Sequence, residues 1–269
     1  MPPFSREEVR FLLCYPSQTL GEYKLKIVPV LDILDNVAVH AVRGRRKEYK
    51  PIKSVLCASA APVDVAMAFR SLGFCELYVA DLNAITGDHD NFAVIEQIAE
   101  KTGLQLMVDA GVGEIKQART AMRHKTSKVV VGTETLTDIG FVEEAVHLLG
   151  PDRVIVSFDM KNGHLLSKFS LDKFPEPIDV LREFQRMGLT QVILLDLARV
   201  GSEEGVDSAF LRDVLESVNL QILVGGGLRN LDDLVKLKDM GVFGVLLATA
   251  LHSGKIKVEE ITRAGLTIS

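Results

Sequence analysis

Eight times along this chain a short β-branched run stops at Asp, Gly or Thr and gives way to a helical pattern. The runs are "KIVPVLD" (26–32), "CELYVAD" (75–81), "LQLMVDAG" (104–111), "KVVVG" (128–132), "RVIVSFD" (153–159), "QVILLD" (191–196), "LQILVGGG" (220–227) and "FGVLLAT" (243–249). Near-continuous apolar strands that alternate with helices are parallel strands covered on the outside. Eight such units over most of 269 residues predict a (β/α)8 barrel. An open doubly wound sheet is the alternative, but no GxGxxG follows the first run. The expected organisation is one barrel domain over 25–269, preceded by an extension over 1–24 with an amphipathic helix near 5–13.

The pattern is also doubled. The segment starting "LMVDAGVGEIKQ" reappears about 116 positions later as "ILVGGGLRNLDD". Gly111 falls on Gly227, and Gly132-Thr133 falls on Ala248-Thr249. "VPVLDILDN" matches "VSFDMKNG", and "YVADLNAITG" matches "ILLDLARVGS". The chain therefore reads as two (β/α)4 halves.

In such a barrel the site lies in the loops after the strands. Glycine loops there expose backbone N–H groups to an anion. Gly226 and Gly227 with Ala248 and Thr249 make one candidate phosphate cup. Gly111 with Gly132 and Thr133 makes a second, on the opposite side. Five Asp residues end strands: Asp32, Asp81, Asp109, Asp159 and Asp196. They read first as turn caps, and a Mg²⁺ ring is the alternative; no metal or other cofactor is expected. Asp32 and Asp159 are related by the repeat and should face each other, as an acid and base pair requires. The run "HAVRGRRKEYKPIKS" (40–54) is strongly basic. Arg45 and Arg46 are expected in a mobile lid over an anionic substrate, with a solvated face as the plain alternative. His40, in the same run, either titrates near neutrality or simply packs.

A net charge of −5 and a pI near 5.7 argue against bulk nucleic-acid binding. No run approaches a membrane span, and acids precede the first short apolar run, so no secretory signal is read. Cys14, Cys57 and Cys75 form no CxxC and read as reduced thiols of a cytoplasmic protein. Nothing speaks to oligomeric state.

The doubled barrel, "VPVLDILDN", "VSFDMKNG", "LLDLARVGS", "VGGGLRN" and "ATALHSGK" together resemble the histidine-biosynthesis isomerase/cyclase family, the ProFAR isomerases in particular. The resemblance implies an Amadori rearrangement of an aminoaldose to an aminoketose. It further implies a substrate with a phosphate at each end, acid–base work by Asp32 and Asp159, and contributions from Asp196, Gly201 and Ser202. This chain departs from the family pattern at several points. Leu195 stands where a Thr precedes the strand-six acid, and "Val200-Gly201-Ser202" stands for D-G-T. "Asp109-Ala110-Gly111-Val112-Gly113" replaces G-G-G-I-R, Val30 replaces the cyclase Cys, and the chain has no Trp. A diverged paralogue acting on a small phosphorylated metabolite is expected. The alternatives are another reaction in one-carbon or pterin-type cofactor biosynthesis, or a phosphate-binding protein without catalysis.

Overall fold

The computed structural model describes residues 25–202 and 204–269; the helix expected near 5–13 lies outside the described residues. Eight parallel strands appear where the apolar runs placed them. They are β1 (Lys26–Leu34), β2 (Glu76–Asp81), β3 (Gln105–Asp109), β4 (Lys128–Gly132), β5 (Val154–Lys161), β6 (Gln191–Asp196), β7 (Gln221–Gly225) and β8 (Gly244–Leu247). Each pairs with its sequence neighbour, and β8 returns to β1 in the register Lys26↔Gly244 to Pro29↔Leu247, closing a (β/α)8 barrel. Outside it lie α1 (Pro62–Ser71), α2 (Phe92–Thr102), α3 (Ile115–Arg123), α4 (Gly140–Leu149), α5 (Pro177–Arg186), α6 (Ser208–Ser217), α7 (Leu231–Asp239) and α8 (Val258–Arg263).

The doubling is visible in the elements. Moving β3 and α3 along by 116 positions lands on the bounds of β7 and α7. Both halves also open on a long strand that turns back on itself. β1 pairs antiparallel with Val37–His40 through Asp35 and Asn36, at φ 51° and 61°. β5 pairs with His164–Leu165 through Asn162 and Gly163, at φ 52° and 79°. Two consecutive positive φ values make the tight turn that fits strand twist, and Asn, Asp and Gly tolerate them.

Strand alternation divides the core in two. One set of side chains, including Val28, Tyr78, Met107, Val130, Ile155, Ile193, Leu223 and Leu246, fills the barrel interior. The opposite set, with Phe69, Phe158 and Phe184 fully buried, packs between sheet and helices. Truncating one of these large side chains to Ala typically costs about 3–5 kcal/mol.

One expectation about the cysteines is corrected. Cys57 is a free, half-buried thiol, but Cys75 is disulfide-bonded. A bridge without a short Cys spacing leaves no mark in the sequence. Among the described residues, no helix is long and apolar enough to cross a membrane.

Candidate active site

The interior alternation decides which strand ends meet. Stepping by two from the barrel-filling residues leads to Asp32 on β1, Asp109 on β3, Gly132 on β4, Asp159 on β5, Leu195 on β6, Gly225 on β7 and Ala248 just after β8. Apart from Gly132, these residues line a cavity of about 320 Å³ at the C-terminal mouth. Asp81 and Asp196 have the opposite parity. Asp81 is fully buried and caps the next turn, accepting from the N–H groups of Ala84 (3.1 Å) and Asn91 (2.7 Å). Asp196 accepts from Ala198 N–H at 3.1 Å and pairs with Arg199 at 3.0 Å. The strand-end aspartates therefore form no ring, and Asp196 does not line the cavity.

Asp32, Asp109 and Asp159 make the acidic wall. Burial pushes Asp159 up to about 8; neighbouring Asp109 and Glu134 push the same way, against the stabilising Ser157 hydroxyl and Glu134 N–H. Those two donors lie at 2.7 Å and 3.2 Å. Asp32 borders the cavity, and desolvation raises it to about 7. Asp109 is raised by burial to about 6, although Gly111 N–H (3.1 Å) and the Tyr78 hydroxyl (3.3 Å) donate to it. Gly132 is glycine because of this wall. A Cβ there would meet Asp159 Oδ2 at 3.2 Å and Asp109 Oδ2 at 3.7 Å. Sequence reading found Asp32 and Asp159 and took Asp109 for a turn cap. It missed Tyr78, Tyr49 and Glu134, which also line the cavity.

Across the mouth, Gly226, Gly227, Ala248 and Thr249 line the same cavity. The close approach implied by three consecutive glycines is largely made by the chain itself. A Cβ on Gly225 would meet Leu195 at 2.8 Å, one on Gly226 the Asp196 carbonyl at 2.7 Å, and one on Gly227 the Gly205 carbonyl at 2.4 Å. Gly226 and Gly227 also hold φ of 93° and 81°. These contacts clear the cavity side. Among the described residues no group accepts a hydrogen bond from the N–H of Gly227, Leu228, Ala248 or Thr249. Gly201 lines the cavity beside them, packed so that a Cβ would meet the Ala41 carbonyl at 2.5 Å. The Ser202 hydroxyl turns away to the Arg199 carbonyl at 2.8 Å. His40 Nε2 lies 3.1 Å from the Thr249 hydroxyl oxygen.

The first-half cup is different. Gly111, Gly132 and Thr133 do not line the cavity. A Cβ on Gly111 would meet Ile85 Cα at 2.8 Å, so this glycine serves packing. Thr133 is fully buried, and its hydroxyl oxygen accepts from Asp159 N–H at 3.0 Å.

The basic loop is tied down. Arg46 pairs with Glu134 at 2.5 Å, and Arg43 with Glu204 at 2.5 Å. Arg43 N–H donates to the Val200 carbonyl at 2.8 Å, and Val55 N–H to the His252 carbonyl at 2.9 Å. These contacts count against a mobile lid: carboxylates and carbonyls far away in sequence bind the loop across the mouth. Arg46 lines the cavity; Arg45 sits on the surface beside Glu48 at 3.6 Å.

The family of histidine biosynthesis proteins matches residues 26–257. An uncharacterized protein of Methanocaldococcus jannaschii is 38% identical over 239 residues, covering 88% of this chain and 97% of its own length. The phosphoribosyl imidazole-carboxamide isomerase (ProFAR isomerase) of Bacillus cereus is 30% identical over 239 residues, covering 88% and 97%. The same enzyme of Leptospira biflexa is 31% identical over 243 residues, covering 88% and 96%. With its closed doubled barrel and a match over nearly its whole described length, this chain belongs to the histidine biosynthesis protein family.

Proposed function

We propose that the protein is an aldose–ketose isomerase acting on a phosphorylated sugar derivative, with Asp159 as general acid and Asp32 as general base. The observation that carries this reading is the pair itself: a buried and a half-buried carboxyl at one cavity, raised to about 8 and about 7 by desolvation. At neutral pH Asp159 keeps its proton while Asp32 is substantially ionised, so acid and base are present together. Asp159 would donate its proton to the ring oxygen of the closed sugar, which breaks the C1–O bond. Asp32 would then take the C2 proton, and the electron pair left at C2 forms the enol or enamine. Reprotonation at C1 completes the ketose, so no redox partner is needed. The phosphate would sit against the N–H groups of Gly227, Ala248 and Thr249, with the loop containing Gly201 alongside. Identity with named isomerases near 30% supports the reaction class without fixing the substrate.

The test is proton exchange in D₂O with a panel of phosphorylated aldoses and aminoaldoses. Deuterium should enter at C1 of the ketose product. Asp32→Asn and Asp159→Asn should each slow turnover by about 10²–10⁴-fold. Undiminished turnover in both variants would sink the mechanism.

A further inference from the structure

The two ends of the cavity offer a ligand opposite chemistry. After β7 and β8, backbone N–H groups stand without protein acceptors among the described residues. After β3 and β4, the N–H groups of Gly111, Gly113, Glu114, Thr133 and Glu134 are already taken, and Val112, whose N–H has no acceptor among the described residues, is 1% exposed and does not line the cavity. Gly111 N–H goes to Asp109, and the N–H groups of Gly113 and Glu114 go to Gln117 Oε1 at 2.9 and 3.1 Å. Thr133 N–H goes to the Ser157 carbonyl, and Glu134 N–H to Asp159. What faces the cavity there instead is carboxyl groups, from Asp109, Asp159 and Glu134. Among the described residues, Arg46 is the arginine that lines the cavity, and it is clamped by Glu134; Lys161 stands exposed at the rim, two residues beyond Asp159 on the same strand. A phosphate placed against that wall would find no free N–H on the residues after β3 and β4 that line the cavity. It would also add charge beside Asp109 and Asp159, which burial already disfavours as anions.

We infer that the substrate carries one phosphate, held after β7 and β8, and presents a protonated amine toward Asp109 and Asp159 at the other end. This rests on the phosphate assignment in the proposed function and narrows its substrate class. An ammonium supplies the donors the wall lacks: it compensates the charge of Asp109 and donates to a carboxyl oxygen of the protonated Asp159.

Calorimetric titration of the full chain with inorganic phosphate is the first measurement. One phosphate per chain is expected. Two per chain would overturn the inference while leaving the phosphate reading intact; none would remove the phosphate reading on which it stands. The second measurement compares a linear aminoalkyl phosphate with the alkyl bisphosphate of equal length. The amine should bind at least about tenfold more tightly, the effect of one charge-assisted contact of about 1.4 kcal/mol. Asp109→Asn, checked for its fold by circular dichroism, should erase that preference and keep phosphate binding. Equal or tighter binding of the bisphosphate by the unaltered protein would overturn the inference.

Discussion

Gly111 and Gly227 occupy the same place in the two halves of this barrel. Both have left-handed φ, at 63° and 81°, and both press against neighbouring backbone. Yet the Gly111 N–H is held by the chain's own Asp109, whereas no described group accepts from that of Gly227. The residue two positions before each glycine accounts for the difference: Asp109 in one half, Gly225 in the other. A repeated backbone thus supplies two potential anion cups, and in one of them the inward Asp109 takes up the Gly111 N–H and joins an acidic wall. Duplication gives the barrel its frame, and the rim residues give each half its own chemistry.

The largest effect that would test this division is catalytic. Beyond their loss of turnover, the two Asn variants should alter opposite limbs of the pH profile. With Asp32 near 7 as base and Asp159 near 8 as acid, kcat/KM should be bell-shaped with its maximum between them. Residual activity of Asp32→Asn should lose the acidic limb and that of Asp159→Asn the alkaline limb. A profile that keeps both limbs in both variants would place the titrating groups elsewhere.

Stability against pH comes next. The folded-state value of Asp159, about 8, is raised above the ordinary 3.8. For a raised acid, the contribution to stability is fully present below the unfolded value and is lost as pH rises through the folded value. The protein should therefore lose stability between about pH 4 and 8, with Asp159 responsible for a few kcal/mol of the loss, since each pK unit corresponds to about 1.4 kcal/mol. Urea titrations across that range should show a shallower slope for Asp159→Asn. Equal slopes would mean that the carboxylate ionises in the fold as easily as in the unfolded chain.

The glycines give a smaller effect that separates packing from binding. Gly103→Ala is a control at φ 65° in open space and should cost about 1 kcal/mol. Gly111→Ala and Gly227→Ala add collisions with backbone, worth about a further 1–3 kcal/mol each. Both should lower the melting temperature, but only Gly227→Ala should weaken phosphate binding. Equal losses of phosphate affinity in the two variants would erase the proposed distinction between the halves.

How much of this was legible follows from parity. Strand positions and the half-repeat came from the apolar runs, because barrel strands are buried on both faces and carry a strong signal. The grouping of Asp32, Asp109 and Asp159 was also present in the sequence. Val28, Met107 and Ile155 lie an even number of residues before them, whereas Asp196 is out of phase with Ile193. Pairing only Asp32 with Asp159 through the half-repeat, and adding Asp196 through the resemblance, left Asp109 among the turn caps. The packing roles of Gly225, Gly226 and Gly227 were not legible, because Leu195, Asp196 and Gly205 reach them only through the closed barrel. Nor was the anchoring of the basic loop, since Arg46 and Glu134 are 88 residues apart.

That anchor gives the smallest expected effect. Arg46 and Glu134 make a 2.5 Å pair with side chains 35% and 25% exposed, neither fully solvated nor sealed from water. Partly exposed pairs of this kind are worth roughly 0–1 kcal/mol, because side-chain ordering and screening offset most of the attraction. Glu134→Gln should therefore hardly move the melting temperature. Its consequence should appear at the wall: Glu134 raises both Asp159 and Asp109, so neutralising it should let both ionise at lower pH. It would also release the Arg46 guanidinium toward the cavity. The variant should move the alkaline limb of kcat/KM downward in pH and bring the affinities of bisphosphate and aminoalkyl phosphate closer together. If Glu134→Gln instead unfolds the protein or leaves that ligand preference untouched, the ion pair is a structural clasp of the loop, and the acidity of the wall depends on Asp109 alone.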